Sequence, residues 1–172
     1  MKNIKNLTTA ALIAAFTCVA TLISIGPLPP TNGYIHLGDA LVVFGGFLLG
    51  PVIGGISAAI GSAVADITLG YIAYAPATFI IKFLVAFVAG AIYRFPNKKI
   101  FIAVIASVIA EIVMIAGYYV YEAFILGGGI GAIAALGAVP ANTFQAVSGV
   151  IIGSLLANTF KNNEFLKRGL NK

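Results

Sequence analysis

The segment LGDALVVFGGFLLGPVIGG, residues 37–55, holds two apolar runs set end to end. Asp39, one of only five acidic residues in the chain, stands at the mouth of the first run. Gly50-Pro51 breaks the helix, because proline cannot continue one, and a second run begins at once and reaches about Leu69. The composition of the whole chain agrees. Of 172 residues, 60% are hydrophobic and 9% charged, where a soluble domain carries roughly 25% charged residues. So little charge cannot cover a globule, and the natural solvent is lipid. A spanning helix needs roughly 20 apolar residues, so the length allows about six spans and no separate soluble domain.

Outward from this segment, the other spans run from about Leu7 to Ile25, from just after Pro76 to Tyr93, from Ile100 to about Ile125 and from about Pro140 to Phe160. The run starting at Asp39 is short for a full crossing. The lysine-led N-terminus has the look of a signal peptide, but more apolar segments follow at once, so a retained first span is expected. The expectation is an all-α integral membrane protein: one six-helix transmembrane bundle over residues 1–172. The basic residues decide its orientation. Lys2 and Lys5 precede the first span, Arg94, Lys98 and Lys99 lie in one loop, and Lys161, Lys167, Arg168 and Lys172 follow the last span. Six spans put all of these on one face, which the positive-inside rule makes cytoplasmic, with both termini inside. The +5 net charge therefore reads as membrane topology and not as nucleic-acid binding.

The outer connections hold no basic residue. The first, GPLPPTNGYIHLG, is stiffened by Pro27, Pro29 and Pro30 and is long enough to fold over the bundle as a lid. Polar residues inside the spans are costly and usually face the bundle interior. Lys82 lies about two turns into the fourth span, on one face with Thr78. Glu111, Tyr118 and Glu122 share a face of the fifth. Asn142, Gln145 and Gly149 form a stripe on the sixth. Six of the seven tyrosines, Tyr74 among them, fall on the outer side, either as an interfacial belt or as a pocket wall as well. Plainer readings stand beside these. Lys82 forms a structural ion pair with Asp66 or Glu111, Asp39 caps the second helix, and His36 is a solvated loop residue. The lone Cys18 excludes a disulfide framework. The chain has no GxxxxGK[ST] stretch, no HExxH, no ligands for a redox cofactor and no nucleophile beside a base. It reads as a binding or transport subunit without an enzyme's site or a cofactor.

Three stretches carry a family resemblance: GYIHLGDALVVFGGFLLGPVIGGISAAIGSAVADI, YAPATFIIKFLVAFVAG and VPANTFQAVSGVIIG. Over essentially its whole length the chain resembles the substrate-binding S components of energy-coupling factor (ECF) transporters. The resemblance implies a six-helix bundle that holds a vitamin near the outer face of a prokaryotic plasma membrane, under the loop after the first helix. It implies docking on a transmembrane coupling subunit driven by two cytoplasmic ATPases. Ala10 with Ala14, and Ala11 with Ala15, look like the family's docking motif. His36 and Asp39 would then gate or contact the ligand, with Tyr74, Thr78, Lys82, Glu111, Tyr118, Glu122, Asn142 and Gln145 around it. HLGDA and APATFIIK look closest to members for pyridoxine-like or hydroxymethylpyrimidine-like compounds, with riboflavin an alternative. The expected ligand is a vitamin B6 form. A solitary channel or proton-coupled carrier, and an intramembrane enzyme using Glu111 or Asp66, are the competing classes.

Overall fold

The computed structural model describes residues 2–31, 33–94 and 100–160. Lys98, Lys99 and the four basic residues of the C-terminal tail, on which the orientation argument leans, lie outside them. The elements in order are α1 (Lys2–Leu22), β1 (Ser24–Leu28), β2 (Gly33–His36), α2 (Asp39–Leu49), α3 (Pro51–Leu69), α4 (Ala75–Tyr93) and α5 (Ile100–Phe124). A short α6 (Ala132–Ala135), flanked by single 3-10 turns, leads into α7 (Val139–Phe160).

Among the described residues five helical segments are long and apolar enough to cross a membrane, and α2 falls short of that length. Its 11 residues rise about 16 Å, roughly half of a bilayer core. Yet α2 is the central column: it packs against α1, α3, α4 and α7, and nine of its residues are buried. Its neighbours shield it from lipid, so it need not span.

The small residues make this packing possible. A Cβ on Gly46 would strike the Ala86 backbone, and one on Gly90 would lie 2.6 Å from the Gly46 carbonyl oxygen, so α2 and α4 cross backbone to backbone. A Cβ on Gly54 would lie 2.5 Å from the Gly45 carbonyl oxygen, so α2 and α3 meet in the same way. Gly50, at φ 81°, turns one helix into the next. Such close approach is how helices associate where the hydrophobic effect cannot drive them. The outer surface carries large apolar side chains, among them Phe16, Phe101 and Ile133, while Asp39, Lys82 and Glu111 are at most 1% exposed. This inverts the arrangement of a soluble protein.

The all-α expectation needs correcting. The connection after α1 is a two-stranded antiparallel hairpin, β1–β2, pairing Ser24 with His36, Ile25 with Ile35 and Leu28 with Gly33. Its register slips between Ile25 and Leu28. Gly26 lies over Tyr34, where a Cβ would meet the Tyr34 Cβ at 2.5 Å. The hairpin occupies the connection expected to act as a lid, and its two strands pair across it.

Candidate functional site

Asp39, the first residue of α2, sits level with Lys82, the eighth of α4, and Gln145, the seventh of α7. The central column therefore starts about 10 Å lower than its neighbours. The space above it, roofed by the hairpin, is a cavity.

The floor is a buried polar relay. Lys82 donates to Asp39 Oδ1 at 2.5 Å, and Gln145 Nε2 donates to Asp39 Oδ2 at 2.6 Å. This fixes the Gln145 amide, so its Oε1 faces the lid and accepts the His36 backbone N–H at 3.0 Å. The His36 Nδ1 accepts the Gly38 N–H, also at 3.0 Å. The partner of Lys82 is thus Asp39, and neither Asp66 nor Glu111 pairs with it. Nor does Asp39 cap α2: Gly38 holds that position without a side-chain bond. The Lys82 ammonium also lies 5.2 Å from the centre of the Tyr118 ring, close enough for a cation–π attraction. Glu111 packs against Gly149 beside Asp39, and neither of its oxygens has a hydrogen bond.

The wall is built from tyrosines and two acids. Tyr34 on β2 donates to Asp66 at the end of α3. Tyr74 lies within 3.0 Å of the Thr31 carbonyl and 3.1 Å of Glu122 Oε1. Tyr34, Tyr71, Tyr74 and Tyr121 follow one another with ring centres 4.5, 6.2 and 5.6 Å apart, and of these Tyr34 and Tyr74 line the cavity. Thr78 and Tyr118 share a 3.0 Å hydrogen bond. The lid is thus held at three points: Asp66, the Tyr74–Glu122 pair and Gln145.

Of the residues expected at the site, His36, Tyr74, Thr78, Tyr118, Glu122, Asn142 and Gln145 line this cavity. Asp39, Lys82 and Glu111 do not; they form the buried layer beneath it. Asp66 and Tyr34 line it as well, and the expected set omitted both. Asp66 gave a signal, as an acid in the last turn of an apolar helix. The cavity volume is about 40 Å³, room for a water or two and well below the roughly 300–1,000 Å³ of small-molecule sites, so a ring compound enters only as the hairpin moves aside. Among the described residues no group of three or more metal-ligating side chains occurs.

Burial holds the His36 imidazole well below its usual range, at about 4, with Lys82 adding to the effect and Asp39 opposing it. An imidazole neutral in the fold and ordinary in the unfolded chain contributes stability above pH 6.5. That stability is lost as pH falls from about 6.5 through about 4, by roughly 3 kcal/mol in full. Protonation at Nδ1 would also end its acceptance of the Gly38 N–H. Thermal stability in detergent is therefore expected to fall between pH 7 and pH 5, and His36→Gln should flatten that slope. An equal slope in the variant would remove His36 as its source.

A family model described as "ECF-type riboflavin transporter, S component" matches residues 1–162. The chain belongs to this family. A Pyrococcus woesei protein described as "Uncharacterized protein in gap 3'region" is 35% identical to it over 147 residues, 86% of this chain and 95% of the other. Among solved structures, the S component of a bacterial ECF transporter superposes with a TM-score of 0.75 over 94% of this chain and 98% of the other, at 24% identity. That likeness concerns the fold. This S component is a transport substrate-binding subunit and not itself an ATPase. The four alanines expected to dock divide between two faces. Ala14 presents its carbonyl to Gly61 of α3, and Ala10 packs on the cluster of Ile13, Phe44 and Leu49. Ala11 and Ala15 are exposed.

Proposed function

We propose that this S component captures a small aromatic vitamin, a vitamin B6 form, in the cavity beneath the hairpin. In this reading it lies in the plasma membrane of a prokaryote with both termini cytoplasmic and the cavity facing out. The observation that carries it is the wall itself. Tyrosine rings flank a cavity whose rim offers phenol, carboxyl and amide groups, which suits a flat ring bearing hydroxyls. The ligand touches Tyr74, Thr78, Tyr118, Glu122, Asn142, Gln145 and Asp66, while Asp39, Lys82 and Glu111 hold the floor. Riboflavin is the second reading, favoured by the description of the family model.

The test is ligand-induced thermal stabilisation of the detergent-purified protein with pyridoxine, pyridoxal, pyridoxamine, hydroxymethylpyrimidine and riboflavin. The greatest protection is expected from a B6 form. Protection by riboflavin alone would overturn that choice.

Transport, in this proposal, runs through a transmembrane coupling subunit and two cytoplasmic ATPases. The exposed pair Ala11 and Ala15 forms the dock, since small residues admit a second helix closely. Ala15→Leu should leave ligand affinity unchanged and abolish ATP-dependent uptake in vesicles holding the whole transporter. Uptake at the wild-type rate would move the dock elsewhere. Uptake by this chain alone would favour a solitary carrier.

A further inference from the structure

Each of the two carboxyl groups in the cavity wall is only half used. One oxygen of Asp66 accepts from Tyr34, while Oδ2 is buried without a hydrogen-bond partner. Glu122 repeats the pattern: Oε1 is engaged by Tyr74 and Oε2 is buried and unpartnered. The two residues are 2% and 3% exposed. Buried polar atoms nearly always find partners, so open carboxyl oxygens beside a cavity mark where a ligand's donors belong.

The rest of the lining holds no countercharge. Among the described residues no lysine or arginine lines the cavity. The lysine beneath it, Lys82, is committed to Asp39 at 2.5 Å. His36 uses its Nδ1 as an acceptor toward Gly38, and the two amides at the rim, Asn142 and Gln145, are uncharged. An anionic ligand would lie beside two acids with no partner, and like-charge juxtaposition is strongly penalised. A protonated amine that displaced the atoms covering these oxygens would gain two acceptors, and such charge-assisted bonds are about twice as strong as neutral ones.

We infer that this site selects ring compounds bearing a cationic amine, tolerates neutral alcohols, and rejects carboxylates and phosphate esters, with Asp66 and Glu122 as the specificity-determining residues. The inference rests on the proposed placement of the ligand under the hairpin. Within the B6 group it ranks pyridoxamine above pyridoxine and excludes the phosphorylated forms.

The experiment separates charge from vitamin identity by using two probe series on the full chain in detergent. The first is benzylamine, benzyl alcohol and benzoate, read by thermal stabilisation at equal concentration. The second is pyridoxamine, pyridoxine and 4-pyridoxic acid, read by calorimetric titration. Protection is expected to fall from amine to alcohol and vanish for benzoate, with pyridoxamine preferred over 4-pyridoxic acid by roughly 100-fold. Asp66→Asn and Glu122→Gln keep an oxygen for each tyrosine and should each narrow the amine preference about tenfold. Benzoate protecting as well as benzylamine, or no protection by either, would overturn the inference. So would an amine preference unchanged in both folded variants. If benzylamine protects while every B6 form fails, the charge rule stands and the vitamin assignment falls. If pyridoxine and 4-pyridoxic acid bind alike, the vitamin assignment stands and the charge rule falls.

Discussion

Asp39→Ala is expected to destabilise the protein by about 3–5 kcal/mol, because it strands the Lys82 ammonium without a countercharge. Both side chains are fully buried, so water cannot take over the missing role. The same change frees the Gln145 amide, which loses the acceptor that orients it, and the lid loses one of its three anchors. Removing both charges should cost far less. An Asp39→Leu, Lys82→Met pair replaces an ion pair by apolar groups of similar bulk, and buried pairs are often neutral under that exchange. The check is a double-mutant cycle on thermal or denaturant unfolding, with ligand affinity measured beside it. Equal losses in the single and double variants would mean that the two charges do not depend on each other. The double variant is also expected to bind ligand more weakly than its stability suggests, since its Gln145 is free to turn away from His36.

Gly46→Leu should prevent folding of the bundle. At Gly46 the added atoms meet the Ala86 backbone, which cannot rotate aside as a side chain does. Ordinary overpacking costs about 1–3 kcal/mol; here α2 and α4 must separate along their whole contact. Gly117→Ala is the matched control. Its Cβ would meet the Ile81 side chain at 2.9 Å, and another rotamer can relieve that contact. The expected result is no folded Gly46→Leu protein after detergent extraction and a Gly117→Ala protein with a modestly lowered melting temperature. Comparable yields and melting temperatures would mean that the α2–α4 crossing tolerates expansion.

Helix ends were legible where a breaker stands beside an apolar run. Gly50-Pro51 and the span from Pro51 to Leu69 agree with α3 residue for residue, and Tyr93 closes α4 as expected. The hairpin was not legible as strands. GPLPPTNGYIHLG has no alternation of apolar and polar residues, and its pairing depends on Gly26 accommodating Tyr34 across the turn. Side-chain stripes were legible as faces, because helical periodicity places Thr78 with Lys82 and Glu111 with Tyr118. Depth was not. Asp39 pairs with Lys82 across 43 residues of chain only because α2 begins two turns below the start of α4, and no local pattern encodes that offset. For the same reason Asp39, Lys82 and Glu111 fall beneath the cavity they were expected to line, and Asp66, at the upper end of α3, lies in its wall.

The late start of α2 has a consequence for how occupancy relates to folding. In the proposed reading, a bound ring would rest on the upper end of the central column, so the nutrient would complete the protein's interior. The empty form is then a bundle with its keystone absent, and the loaded form is the finished one. Ligand at a hundredfold excess over its Kd adds about 2.7 kcal/mol to the stability of any single-site binder. Here that increment falls on the column that touches four neighbouring helices. Amide exchange along α2 should therefore slow on loading more than exchange along α1, whose outer face is exposed. Cargo and core become one thing, and a chain that has released its nutrient is also the chain most ready to change shape.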